Sequence, residues 1–343
     1  MQIVWTVLAA ILVFGAVIFI HELGHFLTAK WSRIKVNEFA MGMGPKLFGF
    51  TRGDTTYCLR LFPIGGSCTM EGEDEESDEE RSFGKAPVGK RILVIIAGAV
   101  MNLVLGFSVL FGITATSEVI PTLTIAKFAD DAITPASGLH VDDTIVAVNG
   151  RNLYVIDDLY YELMRAEDYK ADVMVKRGGE KILLEDVQFK SEMVNGVEIL
   201  RMDFWVYRAE KTFGTVIKES ALWSVSIARQ IFMSLVDLVT GNVMINQLSG
   251  PVGIVSVISE AASVSFSSVL VIMAFISINL GVFNMLPLPA LDGGRLIFLL
   301  FEAVTKKKLK PKYEAVVHFV GIILLFGLMI FVTYNDITKL FTR

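Results

Sequence analysis

The apolar run IVWTVLAAILVFGAVIFI, residues Ile3–Ile20, leads directly into His21-Glu22-Leu23-Gly24-His25. The run contains 18 residues without a charge, and a helix that crosses a bilayer needs about 20 apolar residues. A secretory signal peptide is the alternative, but no basic segment precedes the run and no small-residue cleavage site follows it. The sequence therefore predicts a first transmembrane helix that carries two histidines near its inner end.

The spacing of these histidines indicates a metal site. Positions i and i+4 lie on one face of a helix, so His21 and His25 can bind the same zinc ion. Glu22 then lies beside the open position of the metal, where it can accept a proton from water. If Lys30 marks the inner interface, the histidines lie roughly 7 and 14 Å deeper, and ionisable groups at that depth are costly and usually functional. The simpler alternative is a pair of interfacial histidines without a metal.

A catalytic zinc ion needs a third protein ligand, and the sequence offers three candidates. His140 falls in a region predicted to lie outside the membrane, whereas His318 near the inner end of the last span is more typical of an interfacial or packed residue. Asp292 lies in the segment PLPALDGG, residues 287–294. Prolines and glycines break a helix, and a broken helix at membrane depth is tolerated where it lines a buried cavity. Asp292 is therefore the predicted third ligand.

The composition places the whole chain in the membrane class. Of its 343 residues, 53% are hydrophobic and 20% are charged, and the mean hydropathy is +0.57. Residues 92–115, 261–291 and 315–334 are further charge-free stretches, so four spans are predicted. The net charge of −5 argues against a nucleic-acid partner. Cys58 and Cys68 are interpreted as free thiols rather than a disulfide.

Basic residues predict the orientation of the chain. Residues 30–91 hold ten Lys and Arg residues and residues 306–312 hold five, so the positive-inside rule places both segments on the cytoplasmic side. The two termini and residues 117–264 are then extracytoplasmic, and the metal site lies near the cytoplasmic face. Phe213–Thr240 has helical periodicity but contains several charges, which favours an amphipathic helix on the outer surface over a fifth span. A further crossing there would also move Asp292 to the side opposite His21.

Two segments between the first two spans have no helical pattern. Residues 39–70 alternate like strands around several glycines, which predicts a hairpin that dips toward the membrane, with an extended edge near Cys58–Ile64. Residues 71–80, the acidic segment, hold eight acids in ten positions. A solvated, disordered loop is the favoured interpretation of the acidic segment, over a metal-binding or partner-binding role.

With these motifs the chain closely resembles the site-2 protease family of intramembrane metalloproteases, in particular its bacterial regulator-of-sigma-E protease branch. His21–His25 matches the first family motif, and Phe283-Asn284-x-x-Pro287-x-Pro289-x-Leu291-Asp292-Gly293 matches the second. Gly42-Met43-Gly44 is similar to the family's membrane-reentrant hairpin, and Pro63-Ile64-Gly65-Gly66 is similar to its substrate-presenting strand.

Two weaker similarities agree with this resemblance. Ala97–Asn102 resembles part of the family's second helix, although the usual Gly-Pro is missing, and Leu248–Ile254 resembles the loop before the third span. Residues 138–150, GLHVDDTIVAVNG, resemble the PDZ pattern GLxxGDxIxxVNG with Asp142 in place of a glycine. The dipeptide Asn149-Gly150 between apolar runs indicates a hairpin turn.

The resemblance implies the architecture. It is a multi-pass α-helical membrane protein with four transmembrane helices, a membrane-associated β-hairpin and one inserted extracytoplasmic α+β PDZ domain. The implied division is residues 1–118 for the first half of the protease core, 119–207 for the PDZ domain, 208–265 for an extracytoplasmic amphipathic helix and loop, and 266–343 for the second half of the core.

The resemblance also implies the function, an intramembrane zinc metalloendopeptidase in the cytoplasmic membrane of a bacterium. Its partners would be the lipid bilayer and single-pass membrane proteins or peptides trimmed beforehand, such as anti-sigma factors or signal-peptide remnants. One catalytic zinc ion would be held by His21, His25 and Asp292, with Glu22 as general base. The implied substrate-binding residues are Asn284, Ile64, Gly65, Gly66, Gly42 and Gly44.

Several alternatives stay open at this point. Asn284 is equally well explained as a helix-packing residue, and the PDZ domain as a size filter or as a peptide-binding module. A membrane metalloprotease that cuts soluble tails or prenylated ends, a zinc transporter and a catalytically inactive PDZ-bearing membrane scaffold are the rival functions.

Overall fold

The computed structural model of the chain describes residues 2–73, 75–194, 197–241, 250–307 and 311–342. These residues form two compact units, a core unit of residues 1–110 and 227–343 and an inserted unit of residues 111–226. In chain order the helices and strands are α1 (Gln2–Trp31), β1 (Val36–Arg52), β2 (Thr55–Met70), α2 (Val88–Thr116), β3 (Ile120–Phe128), β4 (Thr144–Val148), β5 (Arg151–Asn152), α3 (Ile156–Met164), β6 (Lys170–Arg177), β7 (Glu180–Gln188), β8 (Lys190–Val194), β9 (Val197–Arg201), β10 (Phe204–Ala209), α4 (Phe213–Thr240), α5 (Pro251–Val264), α6 (Phe266–Asn284), α7 (Asp292–Thr305) and α8 (Pro311–Thr342).

Long apolar helices make the chain a multi-pass membrane protein. By length and composition, five described helices could cross a bilayer: Val4–Trp31, Val88–Thr116, Phe213–Thr240, Phe266–Asn284 and Tyr313–Thr338. Four of them correspond to the predicted spans. The additional helix is α4, the segment that the sequence assigns to the outer surface, and its mean hydropathy of 1.4 is below the 2.2–2.8 of the other four.

The predicted third span, which the implied division begins at residue 266 within the charge-free stretch 261–291, corresponds to α6 (Phe266–Asn284). Ser265 has an extended backbone and its hydroxyl accepts a hydrogen bond from the Ser268 N–H, so it ends α5 and caps the start of α6. The segment before it, predicted as part of a loop, is the helix α5, which begins with Pro251 at a position that favours proline. At the other end α6 stops at Asn284, and the predicted break lies between α6 and α7.

The helix α1 is fixed against three neighbours of the core unit. Val13 and Val17 pack with Ile258 of α5 and with Val269 and Met273 of α6 in one buried cluster. At Gly24, about one helical turn after His21 in the chain, α1 lies against the backbone of α2. A Cβ added to Gly24 would lie only 2.5 Å from the carbonyl oxygen of Ala97. The two helices therefore touch at main-chain distance beside the histidines.

The strands β1 and β2 form a sheet of four segments, because part of β1 is paired on both sides. Glu38 pairs with both Thr69 and Thr56, and the same doubling continues through residue 41. Across the sheet the order is therefore residues 46–52, 55–60, 36–41 and 66–70. Residues 55–60 lie inside the sheet, so the edge predicted near Cys58–Ile64 is displaced. No described strand pairs with the outer side of residues 66–70, and this segment is called the free edge below.

The displacement follows from sharp bends that the alternating pattern did not predict. Gly42, Gly44 and Gly65 have φ values of +86°, +85° and +85°, a region that side-chain-bearing residues rarely adopt. Each long strand turns back there and changes its neighbour. Cys58 and Cys68 both lie in this sheet as free thiols, which confirms that prediction.

The acidic segment has exposed acids at Glu75, Glu76, Asp78 and Glu80, as a solvated loop predicts, but contacts hold its first residues. The Glu71 carboxylate accepts hydrogen bonds from Asn37 Nδ2 at 2.8 Å and from Ser77 Oγ at 2.6 Å. Glu73 forms an ion pair with Arg295 of α7. Composition alone predicts disorder because it does not reveal partners so distant along the chain.

The inserted unit contains an antiparallel sheet in the order β10-β3-β4-β6-β7, with β5 paired to β4. Its core includes Ile125, Val148 and Val173 of the sheet and Leu159 of α3. The predicted hairpin turn is confirmed, since Asn149 and Gly150 both have positive φ and lie between β4 and β5. Asp142 has a φ of +70°, a backbone conformation that glycine adopts more readily than other residues.

A buried carboxylate ties this sheet together. Asp143 is fully buried and accepts two hydrogen bonds from the Arg177 guanidinium of β6, each 2.7 Å long. Burial alone would raise the pKa of the Asp143 carboxyl, but the bonds from Arg177 and from the His140 N–H hold this pKa below its ordinary value. The folded state thus favours the ionised form.

We expect the inserted unit to lose stability in acid through Asp143. Because the pKa is lowered by folding, the stabilisation is present above the unfolded-state pKa of about 3.9 and is lost as pH falls below it. Asp143→Asn should destabilise the sheet at neutral pH by on the order of 2–3 kcal/mol, because it breaks a buried charge pair. Amide hydrogen exchange of β4 and β6 measures this loss, and Glu185→Gln on exposed β7 is the control. Equal protection in Asp143→Asn and wild type at neutral pH would contradict it.

Candidate metal centre

The first two candidate ligands lie one turn apart on α1. His21 and His25 are 9% and 7% exposed, and their Nε2 atoms are 3.2 Å apart. The rings meet edge to face with centroids 4.8 Å apart. The predicted helical face therefore directs both Nε2 atoms to one point.

The third candidate, Asp292, reaches the same point from the start of α7. Its Oδ2 lies 3.3 Å from His21 Nε2 and 3.4 Å from His25 Nε2. The residue after it must be small, because a Cβ on Gly293 would overlap the carbonyl oxygen of Leu286. The glycines after Asp292 therefore let the first turn of α7 pack against the backbone of residues 285–289. This packing places the Asp292 carboxylate beside the histidines.

The three atoms fit a tetrahedral zinc ion. Zinc binds histidine nitrogen at about 2.0–2.1 Å and carboxylate oxygen at about 2.0–2.2 Å, so two ligand atoms of a tetrahedron are roughly 3.3–3.5 Å apart. The three observed separations are 3.2, 3.3 and 3.4 Å. Two imidazoles and one carboxylate also form a donor set typical of catalytic zinc, which leaves the fourth position open.

Buried partners orient the two imidazoles. His25 Nδ1 lies 2.9 Å from the carbonyl oxygen of Val94 in α2, so Nδ1 carries the proton and Nε2 keeps its lone pair for a metal. Asn102, fully buried, places its side-chain amide 3.3 Å from His21 Nδ1. An amide can be turned by half a rotation, and with Oδ1 accepting from Nδ1–H it fixes His21 in the same way. The sequence singled out Asn102 only as part of a weak pattern and missed this role.

Glu22, the predicted base, is half-buried and lies between the metal ligands and the free edge. A Cβ added to Gly66 would lie 2.9 Å from Glu22 Cγ, and the backbone N–H of Cys68 donates to the Glu22 carboxylate. The glycine at position 66 thus lets the free edge approach the base at backbone distance.

The other predicted substrate-binding residues are divided by the structure. Asn284, at the end of α6, is 8% exposed and its Nδ2 lies 3.3 Å from His21 Nε2. Gly42 and Gly44 have Phe62 as their nearest neighbour and Gly65 has Met43, so they shape the sheet rather than border the ligands. The side chain of Ile64 lies outside the described part of the structure, and so does Leu248–Ser249 of the resemblance to a family loop.

Gly98 of α2 lies directly against the two imidazoles. A Cβ there would overlap His25 Nε2 and lie 2.7 Å from His21 Cε1. The sequence predicted small residues in this helix but not their contact with the ligands. Only a glycine leaves room for both imidazoles in these positions.

Gly98→Ala should therefore abolish zinc binding while leaving α2 helical. Alanine favours an isolated helix by about 1 kcal/mol over glycine, so any loss must come from the displaced imidazoles. Zinc content of the purified variant measures the effect. Gly112→Ala on the same helix is the matched control, because a Cβ there meets nothing within 4 Å. Normal zinc content in Gly98→Ala would refute the described packing.

His318 of α8, the histidine considered and set aside as a ligand, supports the turn that carries Asp292. Ala290 has a φ of +73°, a strained conformation for alanine, and its N–H donates to His318 Nδ1 at 3.0 Å. The His318 ring also meets Phe298 of α7 with centroids 6.0 Å apart. His318 thus acts on Asp292 through the backbone, a role that no sequence pattern predicts.

We expect His318→Leu to weaken zinc affinity on the order of 10- to 100-fold, as other changes behind metal ligands do. His318→Asn should retain most of the affinity, because its side-chain oxygen can accept the same bond. Adding Ala290→Gly to His318→Leu should restore binding, since glycine adopts positive φ without strain. Zinc occupancy in metal-buffered solution measures all three, with Phe319→Leu at an exposed position of α8 as control. Unchanged affinity in His318→Leu would count against this role.

Comparisons with known proteins agree with the site. Residues 9–328 match the model of peptidase family M50. The chain is 31% identical over 425 residues to the zinc metalloprotease RasP of Shouchella clausii, covering 98% of this chain and all of the relative. It is 30% identical over 423 residues to the regulator of sigma-W protease RasP of Bacillus subtilis, covering 98% of this chain and 99% of the relative. The chain belongs to peptidase family M50, and it is a zinc metalloprotease of the site-2 protease type.

Proposed function

We propose that this zinc metalloprotease cleaves transmembrane segments of membrane proteins that have already been trimmed on the outer side. The observation that carries the proposal is the meeting of three ligand atoms, the Glu22 carboxylate and a free strand edge inside a bundle of apolar helices. The name of the relative, a regulator of sigma-W protease, supports an anti-sigma factor as one substrate class. Signal-peptide remnants are the second class.

The proposed ligands are His21, His25 and Asp292, with Glu22 as general base. Bound zinc supplies a Lewis acid that activates water and polarises the scissile carbonyl. The Glu22 carboxylate interacts electrostatically with His25, His21 and Asp292, which supports its role in accepting the proton of the attacking water and passing it to the leaving amine nitrogen. The Asn284 amide N–H, beside His21, is in position to donate to the carbonyl oxygen of the substrate.

The substrate must be unwound before it can be cut. All peptide groups of a transmembrane helix are paired within the helix and are shielded from attack. The free edge, residues 66–70, pairs with no described strand on its outer side and lies beside Glu22. Pairing of the substrate backbone with this edge, as in β-augmentation, would hold the unwound segment extended at the metal.

The proposed topology has four spans, with α4 on the outer surface. Within the core unit, α2 runs away from the level of His25 and α6 runs toward the histidines, so Leu110 and Phe266 belong on the same side of the bilayer. The chain between them must then cross the bilayer an even number of times. If α4 crossed, α5 would have to cross back, but its 14 residues span only about 21 Å of a hydrocarbon core about 30 Å thick. The inserted unit is then extracytoplasmic and Asp292 lies near the cytoplasmic face.

The proposed PDZ domain is the part of the inserted unit within residues 119–207. A cavity of about 670 Å³ lies between α3, β3 and β10. Most of its lining side chains are apolar or aromatic, such as Ile156, Tyr160 and Phe204, and Lys127 and Arg208 also border it. An apolar groove beside a strand suits an extended peptide. This favours peptide binding over a size filter that acts by exclusion alone.

Glu22→Gln should stop cleavage of a reporter transmembrane segment while zinc stays bound. Removal of a general base costs about 10²- to 10⁴-fold in rate, and the amide keeps the size of the side chain. Asp292→Asn, in contrast, should lower zinc content. Both are measured on purified protein in detergent, as zinc per chain and as initial rate. Cleavage by Glu22→Gln near the wild-type rate would exclude the base assignment.

A further inference from the structure

The acidic segment forms one wall of a cavity of about 600 Å³ in the core unit. Among the residues that the structure describes, six carboxylates and three cations line it, which gives these residues a net charge of −3. Two of these cations already form ion pairs with carboxylates of the lining, Arg91 with Glu302 and Arg295 with Glu73. The negative electrostatic potential inside the cavity therefore comes mainly from acids outside these two pairs, such as Glu75, Glu76 and Asp78.

A buried hydroxyl in the same cavity is available for a ligand. Ser82 lines the cavity and is 2% exposed. Among the described residues, its Oγ has no hydrogen-bond partner. Buried polar atoms normally form hydrogen bonds. An ammonium or guanidinium group could donate a hydrogen bond to the Ser82 oxygen while its charge is balanced by the neighbouring carboxylates.

The cavity begins where the free edge ends. The last residue of β2, Met70, donates its N–H to Glu73 Oε2 at 3.3 Å. The same Glu73 pairs with Arg295, three residues after Asp292 in α7. Arg91 and Ile95 of α2, on either side of Val94 whose carbonyl contacts His25, also line the cavity. A chain paired with the free edge is thereby led from the metal ligands to the acidic wall.

Membrane-protein substrates carry a matching charge at this end. The positive-inside rule places Lys and Arg immediately cytoplasmic of transmembrane segments. We propose that the cavity bounded by the acidic segment binds the Lys- and Arg-rich cytoplasmic flank of the substrate. This rests on the proposed function and topology. Binding of the flank in this cavity would fix the position of the substrate along the free edge, and so determine which peptide bond lies at the metal.

Two reporters separate this inference from the proposed function. They share one transmembrane segment and differ only in the cytoplasmic flank, Lys-Arg-Lys or Gln-Gln-Gln. The zinc-loaded wild-type protein should cleave the basic reporter with a kcat/KM on the order of 3- to 30-fold higher, mainly through KM, because partly exposed ion pairs each contribute little. The preference should shrink as salt is raised.

The variant Glu75→Gln/Glu76→Gln/Asp78→Asn should lose this preference, and Ser82→Ala should reduce it. The matched control removes three exposed acids of the inserted unit, Glu118→Gln/Glu185→Gln/Glu210→Gln, and should keep it. Equal kcat/KM for both reporters in the wild type, or a preference that survives the triple change in the cavity, would overturn the inference.

Failure to cleave either reporter would instead refute the proposed function, and this inference with it. An equal response of both reporters to added Mg²⁺ would assign the cavity to a divalent cation and overturn it too.

Discussion

The whole structure depends on keeping ionisable groups within an apolar bundle. His21, His25 and Asp292 would be costly there as separate side chains, and the proposed shared cation, together with bonds to their outer atoms, would offset that cost. This requirement explains features far from the ligands along the chain. The Val94 carbonyl, Asn102 and His318 all lie on other helices, and each supports one of the three groups.

The parts predicted well from the sequence are those set by local chemistry. The HExxH spacing fixes two Nε2 atoms on one helical face, and the segment at residues 287–294 can only be a break followed by a tight helix start. Charge-free runs locate the long helices. These are properties of a few neighbouring residues, and no tertiary information is needed to recognise them.

The parts that were missed depend on contacts between distant segments. Pairing of residues 38–41 on both sides displaced the expected edge of the sheet, and the cap at Ser265 divided a stretch that reads as one helix. Gly98 and His318 have no pattern of their own, because their importance comes from what they face on α1 and α7. The bonds of Glu71 and Glu73 likewise order a segment whose composition suggests disorder.

The free edge beside Glu22 has a consequence for selectivity. A strand edge forms hydrogen bonds with main-chain N–H and C=O groups, which are the same for nearly every residue. Discrimination at this position would then fall on how easily a segment leaves the helical state, and glycine or proline within it lowers that barrier. An enzyme built this way would tolerate wide divergence in the sequences it cuts, while a rigid poly-leucine helix would resist it.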